Sequence, residues 1–235
     1  MFVLNHMTRE PVSASPDTPV TELLRLMHDR AIRHFPVVDQ AGAVIGLVTD
    51  RELLSIAQDA GGAVGRTAAD VMCPDPMTIT ADVPLGTALM TICEQRLSAL
   101  PVVSEGRLVG IITRGDLLNV MCRLLGLDRP GACFDVALLE CDADLSFAFS
   151  EIQETRIQLI SAIAACMRDD GDEPVLYLRA DRRDRKAVET ALSRAGLILL
   201  VPENESTEVA QANPMPSGGP LHPTDAPARS TLVRT

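Results

Sequence analysis

Apolar residues recur at helical spacing in two separate parts of the first half of the chain. The two apolar faces are Val20, Leu23, Leu24 and Met27, and then Leu85, Ala88, Leu89 and Ile92. Both sets follow the i, i+3, i+4, i+7 rule, which predicts two amphipathic helices. Pro19 and Pro84 precede these faces and suit a first helical turn, because the N–H that proline lacks would be unpaired there.

Two β-branched runs, separated by a glycine-containing turn, follow each of these helices. The matching runs are residues 33–38 with 98–103 and residues 44–49 with 108–113. Each pair of runs predicts a β-hairpin. A short strand is expected to open each unit, around Val12 in the first and around Met77 in the second.

A second helix is predicted to follow each hairpin, starting at Thr49 and at Thr113. The residues expected to face inward are Leu53, Leu54 and Ala57 in the first unit and Leu117, Leu118 and Met121 in the second. A unit of this size has too little core to be stable alone. We therefore predict two domains, residues 1–62 and 63–126, that pack together with pseudo-twofold symmetry.

The starts of these second helices carry the candidate chemistry. Their sequences are Gly-Leu-Val-Thr-Asp-Arg-Glu at 46–52 and Gly-Ile-Ile-Thr-Arg-Gly-Asp at 110–116. A threonine followed three residues later by an acid is a capping box, which is a purely structural interpretation. The same geometry can bind a ligand, because free N–H groups suit a phosphate and the carboxylate can accept ribose hydroxyls. Arg51 and Arg114 can add donors to phosphate oxygens.

This order of elements resembles the cystathionine-β-synthase (CBS) domain, and two copies in tandem resemble a Bateman module. The resemblance rests on the Pro-opened helix, the Pro-Val-Val strand and the Gly-x-x-Thr-x-x-Asp/Glu helix start, each present twice within residues 3–123. It implies an adenosine-containing ligand (AMP, ADP, ATP or S-adenosylmethionine) in a cleft between the copies, as a regulatory ligand with no cofactor. It also implies regulation of an attached or partner activity, since such pairs are rarely catalytic.

The resemblance further implies roles for individual residues. The threonines would face phosphate, the acidic residues ribose, and the first strand and the Pro-Val-Val strand adenine. The candidate ligand-binding residues are therefore Thr113, Arg114 and Asp116, then Thr49, Asp50, Arg51 and Glu52, and finally Val12, Ser13, Met77 and Thr78.

The two helix starts are not expected to bind equally well. Glu52 is one methylene longer than Asp116, and a misplaced ion–dipole contact costs about 1–2 kcal/mol, or about tenfold in affinity. We therefore expect the Asp116 site to bind more tightly. Arg33, His34 and Arg96 flank strand ends, where charge is usually solvated.

The composition changes after Gly126, where Leu127–Gly131 resembles a linker or tight turn. The pattern over residues 134–201 predicts strand, helix, strand, strand, helix, strand. This βαββαβ order predicts a small ferredoxin-like domain at residues 132–202, so that the whole chain is of the α/β (α+β) class. A CBS pair followed by such a segment resembles the CBS–ACT proteins of the acetoin-utilisation B type.

The C-terminal third departs from the ACT pattern in one respect. ACT domains usually carry Asp-Arg-Pro-Gly-like residues between the first strand and the first helix, whereas this chain has Cys-Asp-Ala-Asp at 141–144. Without the glycine, close approach of the backbone to a ligand is harder. We therefore interpret this ACT-like domain as a dimerisation or partner surface in preference to an effector site. Residues 203–235 have few large apolar residues and are expected to form a disordered tail.

Composition argues against several classes of function. A formal net charge of −11 disfavours binding to nucleic acid and to anionic membranes, and no apolar run approaches the roughly 20 residues of a membrane-spanning helix. The N-terminal residues lack the features of a signal peptide, so we expect a cytoplasmic protein. The cysteines form no C-x-x-C pair and the histidines are scattered, which predicts reduced thiols and no metal site. Arginine far outnumbers the single lysine, Lys186, which indicates a GC-rich bacterial genome.

The leading hypothesis is a non-catalytic, homodimeric adenine-nucleotide sensor. Ligand in the cleft would favour one arrangement of the copies, and the change would pass through Leu117–Leu125 to the C-terminal domain and an unknown protein partner. The alternative is a structural interaction module with a vestigial cleft. An enzyme is disfavoured, because the sequence shows no activated nucleophile, paired catalytic carboxylates or metal cluster.

Overall fold

The structure is a computed structural model that describes residues 1–58, 62–138, 141–154, 157–165 and 174–200. For residues 141–143 and 182 it describes the backbone alone. The expected loop at 168–173 and the expected disordered tail at 203–235 lie outside the described residues.

Both repeats contain the predicted helix, hairpin and second helix. The first repeat comprises a 3-10 turn (Val3–Asn5), β1 (Thr8–Arg9), α1 (Val20–Arg30), β2 (His34–Val38), β3 (Val44–Thr49) and α2 (Asp50–Ala57). The second comprises α3 (Ala68–Val71), β4 (Cys73–Pro74), β5 (Ile79–Thr80), α4 (Leu85–Glu94), β6 (Ala99–Ser104), β7 (Arg107–Thr113) and α5 (Arg114–Leu124). The predicted duplication is therefore confirmed.

The two repeats exchange their opening segments. β1 pairs antiparallel with β7 of the second repeat, in a sheet of order β1-β7-β6-β5, and β4 pairs antiparallel with β3 of the first repeat, in a sheet of order β2-β3-β4. Val3 is buried in the core of the second repeat, and Ala68 is buried in the core of the first. The segment that opens each repeat therefore packs into the core of the other repeat.

Direct contacts join the hairpins of the two repeats. Leu47 of the first repeat forms a buried cluster with Ala99 and Ile111 of the second. The N–H of Leu108 donates a hydrogen bond of 3.0 Å to the carbonyl of Gly42. These contacts confirm the expectation that the copies pack against each other.

Irregular backbone recurs at equivalent places in the two repeats. Glu10 and Asp75 both have a φ of 46°, and Ala31 and Arg96 have φ values of 52° and 53°. Both hairpins also contain a shift of register within the Pro-Val-Val strand. Residues other than glycine occupy this left-handed region only when the surrounding structure holds them there, so the similarity of the two repeats extends to local backbone strain.

Some local predictions were wrong. Val12 and Met77 themselves lie outside strands. The short pairings lie two residues further on, where Ala14 forms a parallel bridge with Val37 and β5 (Ile79–Thr80) pairs parallel with β6. Pro19 and Pro84 are extended N-cap residues that precede the first helical turn.

Three of the residues expected to face inward on the second helices are exposed. They are Leu54, Ala57 and Leu118. Buried residues on these helices are spaced three apart, Leu53 with Ile56 on α2 and Leu117 with Val120 on α5. This narrow stripe leaves the neighbouring positions in solvent.

The C-terminal segment has the predicted element order. It comprises β8 (Ala132–Ala137), α6 (Cys141–Glu154), β9 (Leu159–Ala165), β10 (Val175–Ala180), a 3-10 turn (Arg182–Asp184), α7 (Arg185–Arg194) and β11 (Ile198–Leu200). Its sheet has the order β11-β8-β10-β9, with every neighbouring pair antiparallel. The core joins strand residues such as Leu178 to helix residues such as Ala148 and Leu192. Residues 141–144, expected between the first strand and the first helix, form instead the first turn of α6.

The end of α5 contacts this C-terminal sheet directly. The Ser161 hydroxyl of β9 donates to the carbonyl of Leu125 at 2.9 Å, and Arg179 Nη2 of β10 donates to the carbonyl of Arg129 at 2.7 Å. Gly126 has a φ of 68°, and a Cβ there would lie 2.5 Å from Ile160 Cγ2. Glycine is therefore required where the chain leaves α5 and passes over β9.

Candidate functional site

The start of α5 is a complete capping box. The N–H of Thr113 donates to Asp116 Oδ2 at 2.8 Å, and the Thr113 hydroxyl donates to the same oxygen at 2.6 Å. The N–H of Asp116 donates in turn to Thr113 Oγ1 at 3.2 Å. Among the described residues, these hydrogen bonds to the Asp116 carboxylate all use Oδ2, which leaves Oδ1 available to a ligand.

The start of α2 repeats the arrangement. The N–H of Thr49 donates to Glu52 Oε2 at 2.9 Å, and the Thr49 hydroxyl contacts the same oxygen. The capping interpretation is therefore confirmed for both helices. Each cap satisfies N–H groups that have no partner within the helix, so neither motif needs a ligand to explain it.

A cavity of about 610 Å³ lies at the seam of the repeats, beside the start of α5. The first repeat contributes Thr8, Glu10, Pro11, Val12, Ala31, Ile32, Arg33, His34 and Asp50, and the second contributes Ser98, Ile111, Thr113, Arg114, Gly115, Asp116 and Leu118. This volume falls within the roughly 300–1,000 Å³ typical of small-molecule sites. The two repeats therefore leave an open cleft beside the start of α5.

The candidate residues divide between two places. Val12, Asp50, Thr113, Arg114 and Asp116 line the seam cavity. Arg51 and Glu52 line a separate depression of about 310 Å³ between α2 and α3. Ser13, Thr49, Met77 and Thr78 are among the lining residues of neither.

The cavity wall also includes residues that were not among the candidate ligand-binding residues. Arg33 and His34, expected to be solvated, are part of its wall together with Glu10 and Ala31. Arg96, the third of the residues expected to be solvated, is not. Ala31 and Arg96 share a left-handed backbone that cannot be recognised from the sequence. The sequence therefore contains no sign that Ala31 lines the cavity and Arg96 does not.

The surroundings of the cavity shift the pKa of His34. Burial lowers the pKa of His34 below its ordinary value of 6.5, and Arg33 acts in the same direction while the carboxylates of Asp50, Asp116 and Glu52 oppose it. Its Nε2 atom is buried, and no partner for it is found among the described residues. A neutral imidazole therefore faces the cleft at pH 7.

Residues at equivalent positions of the two repeats differ in size. At four positions that line the cavity beside Asp116 (the first seam), the residue is smaller than its counterpart at the equivalent place beside Glu52 (the second seam). The lining residues are Val12, Ala31, Gly115 and Asp116, and their counterparts are Met77, Arg96, Arg51 and Glu52. The difference is not uniform, because Glu10 and His34 are larger than their counterparts, Asp75 and Ala99. Residue size at the four positions favours an opening at the first seam.

The Arg114 side chain lines the cavity but is also hydrogen-bonded to backbone. Its Nη2 donates to the carbonyl of Leu97 at 2.8 Å. This bond holds the guanidinium beside the turn between α4 and β6. Arg114 is therefore less available to a phosphate than the sequence alone suggested.

Neither a metal centre nor a membrane span is seen in the part of the chain that the structure describes. There, no three side chains of the metal-binding types His, Cys, Asp and Glu come together. No described helix combines the length and apolarity needed to cross a bilayer.

The fold and motifs place the chain in a known family. The CBS-domain family model matches residues 3–59 and 68–123. The CBS domain-containing protein YhcV of Bacillus subtilis is 30% identical over 116 residues, which cover 49% of this chain and 81% of YhcV. The chain belongs to the family of CBS domain-containing proteins and carries a tandem pair.

Other relatives are similar over the same half of the chain. The chloroplastic CBS domain-containing protein CBSX1 of Arabidopsis thaliana is 33% identical over 144 residues, covering 49% of this chain and 60% of CBSX1. The crystal structure of CBSX2 in complex with AMP has 25% sequence identity and a TM-score of 0.48, covering 52% of this chain and 97% of CBSX2. The chain thus spans less than two thirds of CBSX1.

Proposed function

We propose that this protein is a non-catalytic regulator that senses an adenosine-containing ligand in the cleft beside Asp116. The observation that carries the proposal is the open cavity of about 610 Å³ at the first seam, with Asp116 in its wall. In this proposal the free carboxylate oxygen accepts ribose hydroxyls, and Val12 and Ile111 offer apolar contact to the base.

The proposal assigns unequal roles to the two helix starts. Asp116 binds ligand in addition to capping α5, whereas Glu52 only caps α2. The size difference at four equivalent positions supports this assignment, because Met77, Arg96 and Arg51 add bulk where the first seam has small residues. We expect one ligand per chain.

The proposed signal leaves the cleft along α5. Thr113 and Asp116 stand at its start, and the carbonyls of Leu125 and Arg129 beyond its end accept hydrogen bonds from Ser161 and Arg179. A ligand that shifts α5 changes these contacts only to the extent that it binds one arrangement more tightly than the other. A protein partner would read the change at the C-terminal segment.

We further propose that the C-terminal segment is an ACT-like domain of ferredoxin-like topology. Its βαββαβ order and its strand order β11-β8-β10-β9 support this assignment. The face of the sheet opposite α6 and α7 exposes Ile163, Ile198 and Leu200. An exposed apolar face favours a dimerisation or partner surface. Light scattering is expected to show a dimer in solution, and a monomer at tens of micromolar chain would contradict this part.

Thermal melting with AMP, ADP, ATP and S-adenosylmethionine tests the proposed function, with GMP as the control for the base. A ligand at 100-fold over its Kd stabilises the folded state by about 2.7 kcal/mol, which raises the Tm of a chain this size by roughly 5–10 °C. No shift with any adenosine ligand at millimolar concentration would favour the structural interaction module with a vestigial cleft. A cytoplasmic location remains a prediction of the same proposal.

A further inference from the structure

Carboxylates outnumber cations in the wall of the seam cavity. The charged groups there are Glu10, Asp50 and Asp116 against Arg33 and Arg114. His34 adds no positive charge at pH 7, because burial lowers the pKa of its imidazole. The wall therefore carries a net negative charge before any ligand enters.

The two cations are also poorly placed to compensate a phosphate chain. Arg114 donates through Nη2 to the Leu97 carbonyl at 2.8 Å. Arg33, Arg114 and Glu10 are all exposed, so water screens their charges, whereas Asp50 and Asp116 are partly buried. Asp50 and Asp116 stand in the first turns of α2 and α5 and partly neutralise the positive ends of these helices. A di- or triphosphate would bring several negative charges to carboxylates with only these two guanidinium groups nearby.

We infer that this cleft selects an adenosine ligand with a cationic 5′ substituent, of the sulfonium class represented by S-adenosylmethionine, over nucleoside phosphates. The inference rests on the proposed function, in which Asp116 holds the ribose. Glu10 and Asp50 then supply negative charge for the sulfonium and ammonium groups, which AMP and ATP cannot use. Opposite charge attracts the ligand, and like charge rejects its phosphorylated competitors.

Isothermal titration calorimetry at pH 7.5 and low salt provides the test. The ligands are S-adenosylmethionine, the uncharged 5′-methylthioadenosine, AMP and ATP. We expect S-adenosylmethionine to bind at least tenfold more tightly than AMP, with 5′-methylthioadenosine between them and ATP weakest. Raising the salt to 0.5 M is expected to reduce the preference, because salt screens these partly exposed charges.

Isosteric variants connect the preference to the carboxylates. Glu10→Gln and Asp50→Asn are each expected to weaken S-adenosylmethionine at least threefold while changing 5′-methylthioadenosine less than twofold. Asp17→Asn is the matched control, because Asp17 is exposed and does not line the cavity, and it is expected to change neither affinity.

The outcomes separate this inference from the proposed function. If Asp116→Ala weakens every ligand but AMP binds as tightly as S-adenosylmethionine, the cleft binds adenosine and the charge selection is wrong. If the Glu10→Gln and Asp50→Asn variants weaken 5′-methylthioadenosine as much as S-adenosylmethionine, the two carboxylates do not recognise positive charge. If no adenosine ligand binds, the proposed function itself fails.

Discussion

The paired capping boxes allow a ligand contact to be separated from a structural contact. Asp116→Ala removes the carboxylate that accepts from the N–H and hydroxyl of Thr113, and Glu52→Ala removes the carboxylate that accepts from Thr49. Both variants lose a helix cap, which costs about 1 kcal/mol. Without ligand, both are therefore expected to melt roughly 2–4 °C below the unmodified protein.

Ligand is expected to distinguish the two variants. Hydrogen bonds from ribose hydroxyls to a carboxylate contribute about 1.5–3 kcal/mol, so losing Asp116 weakens binding by up to about 100-fold. At a concentration 100-fold over the original Kd, the stabilisation then falls from about 2.7 to about 0.4 kcal/mol. The Glu52→Ala variant keeps the whole ligand-dependent shift, because Glu52 does not line the seam cavity.

Differential scanning fluorimetry across a ligand titration measures both effects in one experiment. Calorimetric titration then supplies the affinities. The assignment would be refuted if Asp116→Ala kept its full ligand-dependent rise in Tm. It would also be refuted if Glu52→Ala lost the rise to the same extent, since the two seams would then be equivalent.

Three further predictions concern the size of the cleft, its histidine and the joint after α5. Ala31→Arg installs the side chain that Arg96 carries at an equivalent left-handed backbone position. Calorimetry should show at least tenfold weaker ligand binding, while the unfolding free energy stays within about 0.5 kcal/mol of that of the unmodified protein. The folded-state pKa of His34 lies below 6.5, so its contribution to stability is complete above that pH and is lost as pH falls through 6.5 towards the folded value. Urea unfolding from pH 8 to 5 should therefore show a smaller loss of unfolding free energy for His34→Gln than for the unmodified protein. An equal loss would mean that other groups cause the pH dependence. Gly126→Ala places a Cβ 2.5 Å from Ile160 Cγ2 at a φ of 68°, so urea unfolding should show a destabilisation of about 1–3 kcal/mol. An unchanged unfolding free energy would mean that the chain after α5 does not contact β9 in this way.

Local features of the fold could be predicted because they depend on neighbours in the sequence. The periodic faces beginning at Val20 and Leu85 identified α1 and α4, and the spacing of Thr113 and Asp116 identified the cap of α5. The repeated hairpins followed from β-branched runs on either side of a turn. Each of these signals is complete within about ten residues, so no tertiary information was needed.

Features that depend on how the repeats meet could not be predicted in the same way. The pairing of β1 with β7 joins residues that are distant in the sequence, so local patterns did not predict it. Glu10 and His34 reach the cleft through this exchange and through packing across the seam. Leu54 and Leu118 resemble core residues by spacing, and their exposure depends on which side of α2 and α5 the sheets occupy.

The relation between cleft and C-terminal segment also emerges only in three dimensions. Gly126 could be recognised as a break after a helix, but the sequence does not show that Ser161 and Arg179 bind the carbonyls on either side of it. These contacts make α5 a physical connection between the two parts. They also explain why a glycine, with its small volume, occupies that position.

A crystal structure of the protein grown with the tightest-binding adenosine ligand would locate the ligand. We expect one ligand per chain, with its ribose hydroxyls on the Asp116 carboxylate and its base near Val12 and Ile111. Ligand bound instead at Glu52 and Met77, or a seam that closes around its own side chains with no ligand in it, would show that the cleft beside Asp116 is not the binding site.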